Sequence, residues 1–161
     1  MQPFFRIILI KISIKYVLTL SKVIHYLKLM ENSIAILRLC GIQPTPQRIA
    51  VVEYILSAKG HPSAEQVLVR VKRQCPTISR ATVYNTLNLL VAKGLLKAQV
   101  LKEGTVVFDS NIKQHHHFID DETGNIYDIP WNALKVTGEK SLKDFQIREF
   151  QVILRGIRTG K

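Results

Sequence analysis

Asp109 and Asp128 flank three consecutive imidazoles, His115-His116-His117, and these residue types at this spacing can hold a metal ion. Successive side chains on a strand point to opposite faces, so His115 and His117 share one face while His116 looks the other way. Two ligands from one strand then converge without strain. Imidazole nitrogens mixed with carboxylate oxygens suit iron, manganese or zinc, and the lack of a nearby thiolate argues against a soft-metal or cluster site. The plainer reading of three histidines is an exposed polar run or a tag remnant. Tags sit at termini, whereas this run lies inside an otherwise apolar, strand-like segment.

The elements that must carry these donors read as helices first and strands afterwards. Ile34, Ile36, Leu37 and Leu39 make a short apolar helix from Met30, ended by Gly41, which suits the left-handed position after a helix. Thr45 as cap and Pro46 at the first position restart it, predicting a helix over Gln47 to Ala58. A third helix begins at Ser63, where Ser63 and Gln66 form a capping box, and Cys75-Pro76 breaks it. The fourth, capped by Ser79, runs from Arg80 to Lys93 and stops at Gly94, with Val83, Leu87, Leu90 and Val91 on one side. Its other side carries Ala81, Asn85 and Asn88, bordered by Arg80 and Tyr84. Helices three and four have the spacing of a helix-turn-helix, whose second member reaches base edges from its N-terminal end.

Two strand-like runs follow, Leu95 to Val100 and Thr105 to Phe108, around a turn at Lys102-Glu103-Gly104. A helix-turn-helix plus such a hairpin is a winged helix. Beyond Asp109, His115 to Ile119 and Asn125 to Ile129 pair across Asp120-Asp121-Glu122-Thr123-Gly124, and Pro130 ends the hairpin. Residues 131–144 are predicted as a modest helix, and Phe145 to Ile157 alternates like a strand. The fold class is therefore α+β. A winged helix-turn-helix domain over 30–109 precedes a small α/β domain over 110–161 for dimerisation and metal sensing.

Charge follows the same division. The net charge is +11, carried as +5 over residues 1–29, +6 over 30–98 and zero over 99–161, so a basic module precedes a neutral one. A basic module attracts phosphate backbones. A neutral unit of about fifty residues is too small to be comfortable alone, and dimerisation is the expected remedy. Cys40 and Cys75 stand singly among apolar neighbours, as buried small residues do in a reducing, cytoplasmic setting. Arg6, Lys11, Lys15 and Lys22 interrupt the apolar first 29 residues, which hold neither a bilayer-length apolar run nor a secretory cleavage signal. No membrane partner is expected. Function is expected to start at Met30, with residues 1–29 a non-native or disordered extension.

Several segments together resemble the ferric uptake regulator superfamily over residues 33–157, and its peroxide-responsive repressor branch in particular. They are Gly41-Ile42-Gln43-Pro44-Thr45-Pro46-Gln47-Arg48, His61-Pro62-Ser63-Ala64-Glu65, Ser79 through Leu87, and the His/Asp cluster. The resemblance implies one regulatory divalent ion per subunit, Fe2+ or Mn2+ with Zn2+ as the alternative, held by His61, Asp109, His115, His117 and Asp128. It thereby assigns His61, which spacing alone does not. It implies double-stranded DNA with a palindromic operator as partner and a homodimer as the working form. Arg80, Tyr84 and Asn85 would lie near bases, with Ser79 and Thr82 on the same helix start and Arg48 on the backbone. Asp128, where iron-sensing relatives carry Glu, points to the peroxide branch, in which a ligand imidazole, here His61 or His115, is oxidised. Relatives also bind structural zinc through two Cys-x-x-Cys pairs. Here those places are Asp120 and Thr123, then Arg158 and Lys161, so no structural four-cysteine zinc is expected.

Two other functions share these residues. An iron or zinc uptake regulator differs only in which ion and signal operate the centre. A non-heme iron enzyme could use two His and one carboxylate, but five ligands leave little open coordination and no general base is evident. No enzyme is expected, nor any small-molecule substrate beyond peroxide.

Overall fold

The computed structural model describes residues 30–102, 104–138 and 144–159, so the 1–29 extension, the turn residue Glu103 and Lys161 lie outside the described residues. Four helices come first, α1 (residues 30–39), α2 (Pro46–Ser57), α3 (Ala64–Val71) and α4 (Arg80–Ala92). A hairpin of β1 (Lys97–Lys102) and β2 (Thr105–Asp109) follows, then β3 (His115–Asp120), β4 (Ile126–Pro130) and β5 (Ile153–Gly156). The winged helix-turn-helix plus small mixed unit is thus the architecture found. No helix among the described residues is long and apolar enough to cross a membrane.

The helix ends follow from the cap residues. At Gly41 (φ +70°) the chain turns left-handed, and the N–H groups of Gly41 and Ile42 donate to the carbonyls of Arg38 and Leu37 at 2.9 and 2.8 Å. These are two of the carbonyls that a helix end leaves unpaired. Gly94 closes α4 the same way, with Leu95 reaching Leu90 at 3.0 Å. Ser63 and Gln66 exchange both capping-box bonds, at 3.3 and 2.8 Å. The hydroxyls of Thr45 and Ser79 accept from Arg48 and Thr82.

Leu37, Val51, Val52, Val67, Val83 and Leu87 fill the centre of the helical unit, and Leu96 and Phe108 of the hairpin pack into the same core. Each such side chain contributes about 1.5–3 kcal/mol by leaving water. A second, smaller cluster joins Leu101 and Val107 of the wing to Ile119 and Ile126 of the other sheet. The Phe108 N–H donates to the Pro62 carbonyl at 2.9 Å and Ser63 bridges Val107, pinning the start of α3 to β2.

In the second sheet β3 is central, antiparallel to β4 and parallel to β5. Two expectations are corrected here. The helix predicted over 131–144 is a 3-10 turn at Trp131–Ala133 followed by non-helical chain to residue 138, with 139–143 outside the described residues. Val136 and Thr137 are β-branched and Gly138 sits at φ +97°, all unfavourable to helix continuation. The strand predicted over Phe145 to Ile157 is only Ile153–Gly156, because β3 offers pairing partners only from His117 to Asp120.

Candidate metal centre

The β3–β4 register sets His117 directly opposite Asp128, so both side chains stand on one face of the sheet with His115 two residues along it. Asp109 comes from the end of β2, and His61 from the segment joining α2 to α3. The Nε2 atoms of His115 and His117 lie 2.9 Å apart, and those of His117 and His61 lie 3.1 Å apart. Asp128 Oδ1 is 3.2 Å from His61 Nε2. Asp109 Oδ2 is 3.0, 3.6 and 3.9 Å from the Nε2 atoms of His115, His61 and His117. One donor atom each from His61, His115, His117 and Asp128 falls within 4.8 Å of every other, and Asp109 borders that group. Of these five side chains all but Asp128 are shut away from solvent around this point, with Asp128 39% exposed at its rim.

This donor set fits a divalent cation. The His115 Nδ1 donates to the Lys113 carbonyl at 2.8 Å, which leaves its Nε2 as a lone pair aimed inward. A ring nitrogen carries either one N–H or one lone pair, so His117 Nε2, 2.9 and 3.1 Å from those of His115 and His61, cannot satisfy both. Asp109 Oδ2 is buried among the three imidazoles, nearest to His115 Nε2 at 3.0 Å. A cation meets the needs of all of them at once. Burial pushes the Asp109 carboxyl upward, but hydrogen bonding by His117, His61 and the Asn111 N–H, with the charge of His61, holds it well below the usual carboxylate range. An ionised carboxylate is the form of Asp109 that can donate to a divalent ion.

The model for the ferric uptake regulator family matches residues 40–155. The chain belongs to that family. Over 130 residues, or 80% of its length, it is 31% identical to the peroxide-responsive repressor PerR of Staphylococcus epidermidis, spanning 87% of that protein. The repressor of the same name from Staphylococcus aureus strain Mu50 is 32% identical over 130 residues, covering 80% and 88% of the two chains. Among solved structures, the manganese-bound ferric uptake regulator of Pseudomonas aeruginosa shares the fold, with a TM-score of 0.58 and 24% identity over 78% of this chain and 97% of that one. The Campylobacter jejuni peroxide stress regulator gives a TM-score of 0.53 and 25% identity over 72% and 88%. The ferric uptake regulators are transcriptional regulators, so the chain is a metal-dependent regulator and not an enzyme.

The sheet geometry also shows what sequence reasoning passed over. Asn111 donates its backbone N–H to Asp109 Oδ1 and its side-chain Nδ2 to Asp128 Oδ2, both at 2.7 Å. The first of these is an Asx-type turn, a signal present in Asp109-Ser110-Asn111. His116 faces the opposite side, as expected. It stacks on Trp131 with ring centroids 4.5 Å apart, and its Nδ1 accepts the Val152 N–H at 3.1 Å.

The side chains expected on DNA lie at the start of α4. Ser79 and Thr82 hydroxyls are 2.9 Å apart, and Arg80, Tyr84 and Asn85 are exposed. Glu65 of α3 reaches two of them, pairing with Arg80 at 3.2 Å and accepting from the Tyr84 hydroxyl at 3.3 Å. Arg48 donates to the Gln43 carbonyl at 3.1 Å, half-buried against its own loop. At the turn after β3, the Thr123 hydroxyl donates to Asp120 Oδ2 at 2.5 Å and the Glu122 N–H to Oδ1 at 3.3 Å, so Asp120 and Thr123 close this corner by hydrogen bonds.

Proposed function

We propose that this family member is a homodimeric repressor in which one regulatory ion, Fe2+ or Mn2+, held by His61, Asp109, His115, His117 and Asp128, licenses operator binding, and that hydrogen peroxide releases it. The observation that carries the reading is the place of His61. It belongs to the helical unit, yet its Nε2 lies 3.1 Å from that of His117, 56 residues away on β3. A cation shared between them favours one angle of the DNA-reading unit (30–109) relative to the dimerising unit (110–161), by its differential affinity for the two states.

In the DNA-competent arrangement Arg80, Tyr84 and Asn85 face base edges, Ser79 and Thr82 fix the helix start, and Arg48 meets a phosphate. Exposed Phe145, Ile153 and Leu154 support self-association of the second unit. Ferrous iron held by these residues would activate peroxide toward the imidazole of His61 or His115, whose ring would lose two electrons and gain one peroxide oxygen while the other leaves as water. The peroxide-responsive names of its relatives support this signal over metal level, and zinc is the alternative ion. With only Cys40 and Cys75 in the chain, at most one tightly held metal per subunit is expected.

The test is a mobility shift on promoter DNA with Fe2+, with Mn2+ and with chelator, repeated after peroxide and followed by peptide mass analysis. Metal should produce the shift, peroxide should abolish it only with Fe2+, and an oxygen atom should appear on the peptide of His61 or His115. Iron-loaded protein that loses DNA without oxygen gain at either residue would sink the peroxide mechanism. A shift indifferent to chelator would sink the metal switch.

A further inference from the structure

Asn111 touches both acids of the centre, and in each it takes the oxygen turned away from the imidazoles. Its N–H holds Asp109 Oδ1 and its Nδ2 holds Asp128 Oδ2, at 2.7 Å each, whereas Asp109 Oδ2 and Asp128 Oδ1 are the oxygens that face His61 and His115. A carboxylate with both oxygens free can bind a cation through either or both. One whose second oxygen is occupied by a donor presents the first alone. Asp109 is buried and has little room to turn, but Asp128 is the exposed member of the set, and its rotation is checked by a side chain rather than by packing.

We propose that Asn111 is the positioning residue of this metal centre: one residue restrains both carboxylates to one-oxygen binding and keeps Asp128 turned toward His61 instead of toward water. The inference rests on the metal reading of the site. Its backbone bond organises Asp109 whatever side chain stands at 111, so substitutions there report on the bond to Asp128. Outer partners of this kind change metal affinity by 10–100-fold in other centres.

The test uses the full chain, stripped with chelator and dialysed, with Mn2+ alone as titrant and the resonance signal of free Mn2+ as readout. N111A should weaken Mn2+ binding by about 10-fold or more. N111D, which cannot donate and adds a like charge beside Asp128, should weaken it at least as much. Circular dichroism and thermal unfolding in chelator should match wild type for both. The decisive arm is the D128A background, where N111A should cause no further loss, because its target is gone. Wild-type affinity in N111A, or an equal loss with and without Asp128, would overturn the assignment. H117A is the control for the site itself. If H117A takes up Mn2+ as wild type does, the metal reading fails and takes this inference with it. If H117A loses Mn2+ while N111A keeps it, only the role of Asn111 fails.

Discussion

Two buried acids outside the metal centre show how surroundings decide what a carboxylate contributes. Asp120 receives the Thr123 hydroxyl and backbone N–H groups, which hold it below its ordinary value. Glu53, in the interior of α2, is pushed upward by burial, and its Oε1 has no hydrogen-bond partner. A carboxyl raised in the folded state takes up a proton on folding at intermediate pH, so its ionised form lowers stability progressively as pH rises through the raised value. Glu53→Met should therefore stabilise the protein by about 1 kcal/mol at pH 7 and by less at pH 4, read as thermal midpoints at both. Equal gains at the two pH values would contradict the argument. At this scale the sequence was informative where type and period suffice. His115 and His117 are legible from alternation, and both aspartates from proximity to them. His61 is not, because 47 residues of intervening chain had to fold before it met Asp109; only the family resemblance reached it. Asn111 escaped because its importance lies in a loop conformation that no periodicity encodes.

At the scale of elements, the N-terminal half was readable because its signals are local. A cap hydroxyl, a proline at the first helical position and a glycine after the last turn act within four residues, and the bounds of α2 and α4 match the expected ones to within one residue, whereas α3 ends at Val71, short of the Cys75-Pro76 break. The C-terminal half depends on what pairs with what. Residues 145–152 alternate as a strand would, yet β3 supplies no ladder opposite most of them. The link between α3 and α4 is likewise non-local. Glu65 holds the Arg80 guanidinium and the Tyr84 hydroxyl on the face proposed to read DNA. An exposed ion pair of this kind is worth only about 0.2–1 kcal/mol to folding, so its effect belongs to recognition. Glu65→Ala removes a negative charge beside the duplex and frees both side chains. It should raise affinity for random DNA and cut the operator-over-random ratio by roughly 3- to 10-fold, with little change in thermal midpoint. Fluorescence anisotropy on the two duplexes at fixed salt measures this, and an unchanged ratio would remove Glu65 from recognition.

Among the described residues, the two halves meet through the donors of the proposed centre and through a few contacts beside them. The Lys97–Glu149 pair at 3.0 Å, a bond from Arg155 to the Leu101 carbonyl at 3.0 Å, and the cluster of Leu101, Val107, Ile119 and Ile126 are ties of this kind among the described residues. A cleft of about 1480 Å³ opens beside His61 and Asp128, between α3 and β4. Against this seam, a cation held as proposed by donors from both sides would dominate the coupling, and the segment from Ser110 to Gln114 between β2 and β3 is where the difference should be read. Lys113 within it is exposed, but its carbonyl is held by His115 Nδ1 at 2.8 Å, so trypsin must first free that carbonyl from a proposed metal ligand to cut the bond. Saturating Mn2+ should therefore slow tryptic cleavage after Lys113 by about 10-fold or more, in proportion to the rarer opening of the site. Chelator should restore the rate, and H117A should show no protection at any Mn2+ concentration. Protection that survives in H117A would mean that the halves are held by the apolar seam instead, and that the ion does not set their angle.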